Sequence, residues 1–354
     1  MPLVRWRCYR CSGINAGSCI EDFDRLKPKY SADAPRLGSG SVAPDQIRFA
    51  FLILAHHQPD LLRRLASRLS AKGMHLFVHV DRKTDIEDFR TVQELDHTTF
   101  LPDDQRVSVR WSGFSMVVAT LNLLRVALAA APNAQRFVLM SGVDYPIKPL
   151  GQIVNVLSGD EEFIQIDREI DPDGDGLFDR RLGHPYFGDN KFLNDRSGHP
   201  RMVAMARRLE SRFRRRRPPG LKLFYGPQWW ALTRQAVTEM LAFLDSRQDV
   251  FRWFKLAQTP DESMIHSIVK ITSKGDKIAF DATRVGFAQL ERHRHALHYI
   301  DWINPNPSLP RILELADLGN IEQSGALFAR KVDLKRSSEL LDALDDSIGC
   351  EHLK

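Results

Sequence analysis

Phe49-Ala-Phe-Leu-Ile-Leu-Ala55 is followed by Leu61-Leu-Arg-Arg-Leu-Ala-Ser-Arg-Leu69 and then by Leu76-Phe-Val-His-Val80. A short unbroken apolar run is the signature of a strand buried on both faces. Leu61, Leu62, Leu65, Ala66 and Leu69 instead recur at helical spacing and share one face. Strand, helix and strand in so short a span form a βαβ unit, whose crossover makes the two strands parallel. Working outward, residues 107–109 read as a short strand and 114–130 as a long amphipathic helix. Residues 136–140 and 162–166 read as further strands. The predicted fold is α/β, with a mostly parallel central sheet and helices on both faces.

Ligands of such sheets gather at the carboxyl ends of the strands. His56-His57, Asp81-Arg-Lys83 and Ser141-Gly-Val-Asp144 should therefore lie along one rim. After residue 170 the pattern loosens into loops, with helices expected at 201–213, 234–244 and 261–271. Residues 1–45 end in Gly38-Ser-Gly-Ser41 and Ala43-Pro44 and read as a flexible lead-in. The folded domain is placed at 46–334. Residues 335–354 are taken as a tail, a short amphipathic helix or a frayed end.

With 354 residues, 43% hydrophobic and 27% charged, the chain has enough apolar material for one large core. Much of its net charge of +5 sits in Arg212-Phe-Arg-Arg-Arg-Arg217, so the remaining surface is near balance and nucleic acid is not demanded. That run reads as a solvated linker ending in Pro218-Pro-Gly220, with peripheral contact to an anionic membrane as the alternative. No apolar run approaches the roughly 20 residues of a spanning helix, and residues 1–30 lack an apolar signal core. A cytoplasmic location, at most peripheral to the inner membrane, is expected. Cys8, Cys11 and Cys19 crowd the first twenty residues and only Cys350 lies elsewhere, so no disulfide framework crosses the core. Cys8-x-x-Cys11 is half a zinc site without its second half.

Asp171-Pro-Asp173-Gly-Asp175-Gly176 spaces oxygen ligands as a calcium loop does, but its twelfth position is Leu182 instead of glutamate. The same aspartates imitate the Asp-x-Asp with which many nucleotide-sugar transferases hold Mn²⁺ or Mg²⁺; a polar surface loop is the plainer reading. Glu291, His293, His295 and His298 alternate in polarity and read as a solvated strand before a metal site. Asp81, at a strand end, can accept a base N–H, and Trp111 is either an aromatic face beside it or a core residue. Two segments together suggest a pocket beside a base: Tyr225-Gly-Pro-Gln-Trp-Trp230 and Thr259-Pro-Asp-Glu-Ser263. Sugars present apolar C–H faces to aromatic rings, so Trp229 and Trp230 are candidates for an acceptor wall, one of the two being expected in the core. Thr259-x-x-Glu262 also spells a capping box with Pro260 at the first helical position.

Taken in order, Phe51-Leu-Ile-Leu-Ala-His-His57, His79-Val-Asp-Arg-Lys83, Ser141-Gly-Val-Asp-Tyr-Pro-Ile-Lys148, Gly226-Pro-Gln-Trp-Trp230, Pro260-Asp-Glu-Ser263 and Leu327-Phe-Ala-Arg-Lys-Val-Asp333 resemble one family. It is that of the core-2/I-branching N-acetylglucosaminyltransferases and peptide O-xylosyltransferases, and the resemblance runs over roughly residues 48–333. It implies a GT-A-like fold, a UDP-N-acetylglucosamine or UDP-xylose donor, and inverting transfer to a hydroxyl with no divalent metal or other cofactor. By the same matching Glu262 is the general base, while the Ala55 backbone, Asp81 and Trp111 surround uridine. Arg311 and Lys331, with Arg330 adjacent as an alternative, stabilise the departing diphosphate; Asp144, Trp229 and Trp230 face the acceptor. The chain lacks the many cysteines and the anchor of animal members, which groups it with soluble bacterial relatives and withholds mucin or proteoglycan acceptors. The rival from another class is a calcium- or nucleic-acid-binding protein built on the aspartate loop or the arginine run.

Overall fold

The computed structural model describes residues 46–171, 176–272, 277–286, 294–302 and 309–349. The expected lead-in, Asp173, Asp175, Glu291 and His293 lie outside the described residues. Its main elements in chain order are β1 (Phe49–Ala55), α1 (Pro59–Leu69), β2 (Met74–Val80), β3 (Thr98–Phe100), α2 (Ser115–Ala130), β4 (Arg136–Ser141), β5 (Asp144–Pro146), α3 (Leu150–Leu157), β6 (Glu162–Ile166) and β7 (Arg168–Glu169). There follow α4 (Pro200–Glu210), β8 (Phe224–Tyr225), β9 (Ala231–Thr233), α5 (Arg234–Ser246), α6 (Met264–Thr272), β10 (Ile278–Asp281), β11 (Arg294–His295), β12 (His298–Ile300), β13 (Phe328–Arg330) and α7 (Ser338–Gly349).

The central sheet runs β10-β6-β9-β4-β1-β2-β3. Its ladders are parallel except at β9, which is antiparallel to both β4 and β6. A smaller sheet runs β11-β12-β13-β5, and β7 pairs with β8. The two-sided burial expected of β1 is visible residue by residue. Ala50, Leu52 and Leu54 pack with α2, α5 and α6 on one face; Phe49, Phe51, Ile53 and Ala55 pack with α1, α3 and α7 on the other. Side chains alternate across a strand, so a wholly apolar run feeds two cores at once. Each buried Leu or Phe contributes about 1.5–3 kcal/mol, which makes β1 a principal source of stability.

Two expectations need correction and a third a new boundary. The strand beside β2 is Thr98–Phe100, not residues 107–109; Val107 instead donates its N–H to His79 Nε2 (2.9 Å) and accepts from Arg82 N (3.0 Å), single bonds that do not make a ladder. The helix expected at 261–271 is split into a 3₁₀ turn, Pro260–Glu262, and α6. Of the two readings of residues 335–354, the short amphipathic helix holds: Ser338–Gly349 form α7, whose Leu340, Leu341 and Leu344 are fully buried, so the folded part extends past residue 334. Its Asp345 accepts from Tyr145 Oη (2.6 Å) and Arg64 Nε (2.9 Å), which binds the helix to β5 and α1.

Parallel strands put the carboxyl ends of β1, β2, β4 and β6 on one edge. Because β9 is antiparallel, its amino-terminal side, carrying Gly226 to Trp230, arrives at that same edge.

Candidate active site

At the rim, Asp81 N donates to Ala55 O (2.8 Å), Gly142 N to Leu54 O (2.9 Å) and Val332 N to Val143 O (3.0 Å). Four segments, Ala55–Gln58, Asp81–Lys83, Ser141–Asp144 and Arg330–Asp333, are thereby stitched together. Gln58 completes the seam: its amide donates to Asp333 (3.1 Å) and accepts from Leu334 N (2.8 Å). Asp81 is buried, with its carboxylate taking Lys83 N (2.9 Å) and Lys83 Nζ (2.6 Å). The buried Arg106 guanidinium, which no motif flagged, donates to the carbonyls of Val80 (3.0 Å), Asp81 (3.2 Å) and Thr84 (2.7 Å) and fixes the turn after β2.

This half of the rim is rich in positive charge. The His56 and His57 rings stack at 4.1 Å; burial, then its neighbour, holds His56 down to about 4, and burial lowers His57 as well. Both imidazoles are therefore neutral at pH 7. Lys331 is partly buried and its ammonium has no hydrogen-bond partner among the described residues; burial, then Arg330, depresses its pKa. A half-buried, unpaired ammonium is suited to receive an anion. The chain near Arg311 runs beside Lys331, since Leu313 N donates to Lys331 O (2.9 Å), but the Arg311 guanidinium is held by Asp317 and by Asp301 (2.9 Å). Trp111 is 37% exposed, and the Arg196 guanidinium lies 4.0 Å over its ring. The buried Asn194 amide secures that loop by donating to Trp111 O (2.9 Å) and Gly188 O (2.7 Å).

The two motifs that suggested a pocket are in contact, for Gly226 N donates to Glu262 O (3.1 Å). Only glycine fits at 226, because a Cβ there would stand 1.9 Å from Gln165 O. Thr259 has left-handed backbone angles (φ 47°) and makes no cap bond. An N-cap needs extended angles, so the capping box does not form. Instead one Arg181 nitrogen donates to Thr259 Oγ1 (2.5 Å) and to the Glu262 carboxylate. The Glu262 and Arg181 side chains remain 27% and 28% exposed. Thr259 N donates to Ser112 O (2.9 Å), joining this turn to the Trp111 loop. Tyr225 lies under Arg181, 5.3 Å from ring centroid to guanidinium carbon.

Three further groups respond to that carboxylate. Burial, then the Glu262 charge, pushes Asp261 up to about 7 and raises Tyr225 above its ordinary value. Asp167, at the end of β6, is raised to about 6, first by burial, with Glu262 contributing. Arg181 and Asp167 were not found from sequence, because each is a single residue brought in from a separate element; Tyr225 stood at the head of the quoted segment without a role assigned to it.

The residues expected to face an acceptor are placed more deeply than their motif suggests. Trp230 is 1% exposed and belongs to the core, where its carbonyl accepts from Leu139 N (2.8 Å). Trp229 is also buried, with Arg330 4.2 Å over its ring and His298 5.8 Å away. Asp144 is fully buried: it accepts from Arg330 (2.7 Å) and Ser141 N (2.7 Å), and His298 Nε2 lies 3.3 Å off. Burial opposes its charge, yet Arg330 and His298 hold it below the usual carboxylate range. With no open face, Asp144 and Trp230 act as scaffold. Among the described residues no group of three or more His, Cys, Asp or Glu is arranged to hold a metal ion.

The Core-2/I-Branching enzyme family model matches residues 49–322. The chain belongs to this family. It is 25% identical over 321 residues to the beta-glucuronosyltransferase GlcAT14A of Arabidopsis thaliana, covering 87% of this chain and 66% of that protein. It is 22% identical to a xylosyltransferase of Ciona intestinalis (90% and 36%) and 23% identical to xylosyltransferase 1 of Rattus norvegicus (85% and 35%). The chain thus spans about two thirds of the length of the plant relative and about a third of the animal ones. Its named relatives are glycosyltransferases, and its mostly parallel sheet is consistent with a GT-A-like fold.

Proposed function

We propose that this family member is an inverting transferase that moves one sugar from a UDP-sugar to an acceptor hydroxyl by direct displacement. The observation that carries the reading is the part-exposed Glu262 carboxylate at the sheet rim, joined through Gly226 to the start of β9 and through Thr259 to the Trp111 loop. Glu262 takes the acceptor proton as the hydroxyl oxygen bonds to the anomeric carbon; the bond from that carbon to the diphosphate breaks on the opposite face, and UDP leaves with the electron pair. Arg181 holds the carboxylate in place until an acceptor hydroxyl replaces it as donor.

Asp81, the Ala55 backbone and Trp111 bound the uridine end. Negative charge grows on the diphosphate as UDP departs, and the unpaired Lys331 is the cation best able to meet it. Each charged donor to a diphosphate oxygen contributes on the order of 1.5–3 kcal/mol. Arg311 shares its charge with two carboxylates and is the weaker partner. With cations in this role the reaction needs no divalent metal. A metal-dependent transferase would rely on Asp171, Asp173 and Asp175, the last two of which lie outside the described residues.

The donor sugar is N-acetylglucosamine or xylose on the family resemblance, and glucuronic acid joins them because a relative carries that name. Slow hydrolysis of a UDP-sugar panel, run with and without EDTA, decides between these possibilities. One sugar should be released preferentially, at a rate EDTA leaves unchanged. A rate restored only by Mn²⁺ would transfer the diphosphate role to the aspartate loop, and release of no sugar would defeat the donor assignment.

A further inference from the structure

Helix α4 carries an outward face that the transferase site does not use. Met202, Met205 and Leu209 recur at helical spacing and are 42%, 68% and 52% exposed, and Phe213, just past the helix, is 59% exposed. One flank of the helix is committed to the fold: Ala206 and Glu210 are buried, and Arg207 is tied to Glu210, Asp195 (3.0 Å) and Leu193 O (2.7 Å). Between residues 201 and 217 the sequence has eight arginines and one glutamate, a charge of +7 in a chain of net +5, which leaves −2 for everything else. The run is not simply the solvated linker that its composition suggests. Arg215 is built into the fold through the carbonyls of Leu182 (3.1 Å) and Leu256 (2.9 Å), and Arg214 meets Asp179 (3.0 Å). Arg201, Arg208, Arg212, Arg216 and Arg217 stay exposed, with no carboxylate partner among the described residues.

We propose that α4 and the arginine run form a docking surface for an anionic phospholipid bilayer. The apolar stripe enters the headgroup layer and the exposed guanidiniums pair with lipid phosphates. A soluble polyanion would use the arginines but leave four large apolar side chains in water. A second copy of the chain would set five like charges against five. Only an anionic apolar surface satisfies both halves of the patch. Arg207 bonds the helix to Leu193 and Asp195, next to the Asn194 that secures Trp111, so docking stands the transferase site beside the membrane.

Cosedimentation of the full chain with vesicles of phosphatidylcholine alone, and of phosphatidylcholine mixed with phosphatidylglycerol, tests the proposal. Binding is expected only to the mixed vesicles, weakening as salt rises. Replacing Arg208, Arg212 and Arg216 together by Ala should weaken it about 100-fold, roughly fivefold per charge. The pair Met205→Asp and Leu209→Asp should weaken it at least about tenfold with unchanged thermal unfolding and UDP-sugar hydrolysis, because both positions are exposed. Failure to bind mixed vesicles overturns the proposal. So does binding that survives the aspartate pair yet is abolished by a soluble polyanion, which marks a polyanion site. A dimer that the aspartate pair converts to monomer, with no vesicle binding, would make the patch an interface between copies.

Discussion

Two carboxylate–arginine pairs in this molecule use the same chemistry and do different things. Asp144 with Arg330 is sealed, the carboxylate fully buried and also bonded to Ser141 N. Glu262 with Arg181 is part-exposed and stands beside Asp261, Asp167 and Tyr225, all of which its charge disturbs. A carboxylate closed off from solvent can only hold structure. A pair that keeps solvent access and unsettles its neighbours is poised for proton transfer. The sealed pair also anchors its surroundings, since Arg330 covers the Trp229 ring and immediately precedes Lys331.

The largest expected effect comes from removing the open carboxylate's basicity while keeping its shape. Glu262→Gln should lower kcat about 1000-fold or more and leave UDP affinity, measured by calorimetry, within about twofold. Turnover near the wild-type rate would end the reading of Glu262 as the base. The sealed pair should answer in stability instead. Asp144→Asn leaves the Arg330 guanidinium partly buried without its counter-charge, at a cost of about 3 kcal/mol, seen as a lower urea midpoint with UDP affinity in the folded fraction retained. If Asp144→Asn unfolds at the wild-type midpoint but loses acceptor affinity, the contrast between the two pairs is mistaken.

A smaller effect is expected at Arg181, a positioning residue. Arg181→Met should lower kcat about 10–100-fold with donor KM unchanged, because Glu262 and Thr259 lose their shared partner while the donor rim is untouched. Arg181→Lys should recover part of the loss, since a single Nη1 serves both contacts. A change confined to KM would place Arg181 on the donor instead.

The parts legible in sequence were those whose signal is continuous along the chain. β1, α1 and β2 announce themselves through unbroken runs and helical spacing, and the rim follows from parallel connectivity. Glu262 was singled out through its motif, but its surroundings were not visible there: a threonine three residues earlier reads as a cap until its left-handed backbone is known. The direction of β9 is likewise invisible in Ala231-Leu-Thr233, and it alone brings Gly226 to the rim. Trp229 and Trp230 read as a wall because aromatic type is visible and depth is not. Asp144, read as a rim residue open to acceptor, is sealed by Arg330 from 186 positions away, a pairing that no local pattern encodes.

The smallest expected effect gives the two regions opposite responses to pH. Asp144 is held below the usual carboxylate range, so its ion pair stabilises the fold above the unfolded value, near 4, and that contribution fades as pH falls. Asp261 is raised to about 7, so between about pH 4 and that value the folded chain keeps a proton that the unfolded chain has released, and stability declines as pH rises. Asp261→Asn removes the second slope and keeps the first. It should match wild type at pH 4.5 and exceed it at pH 8 in urea unfolding. Parallel curves for the two proteins would mean that Asp261 ionises freely when folded. The strain around Glu262 would then fall on Asp167, raised to about 6, and Asp167→Asn would be the variant that flattens the slope.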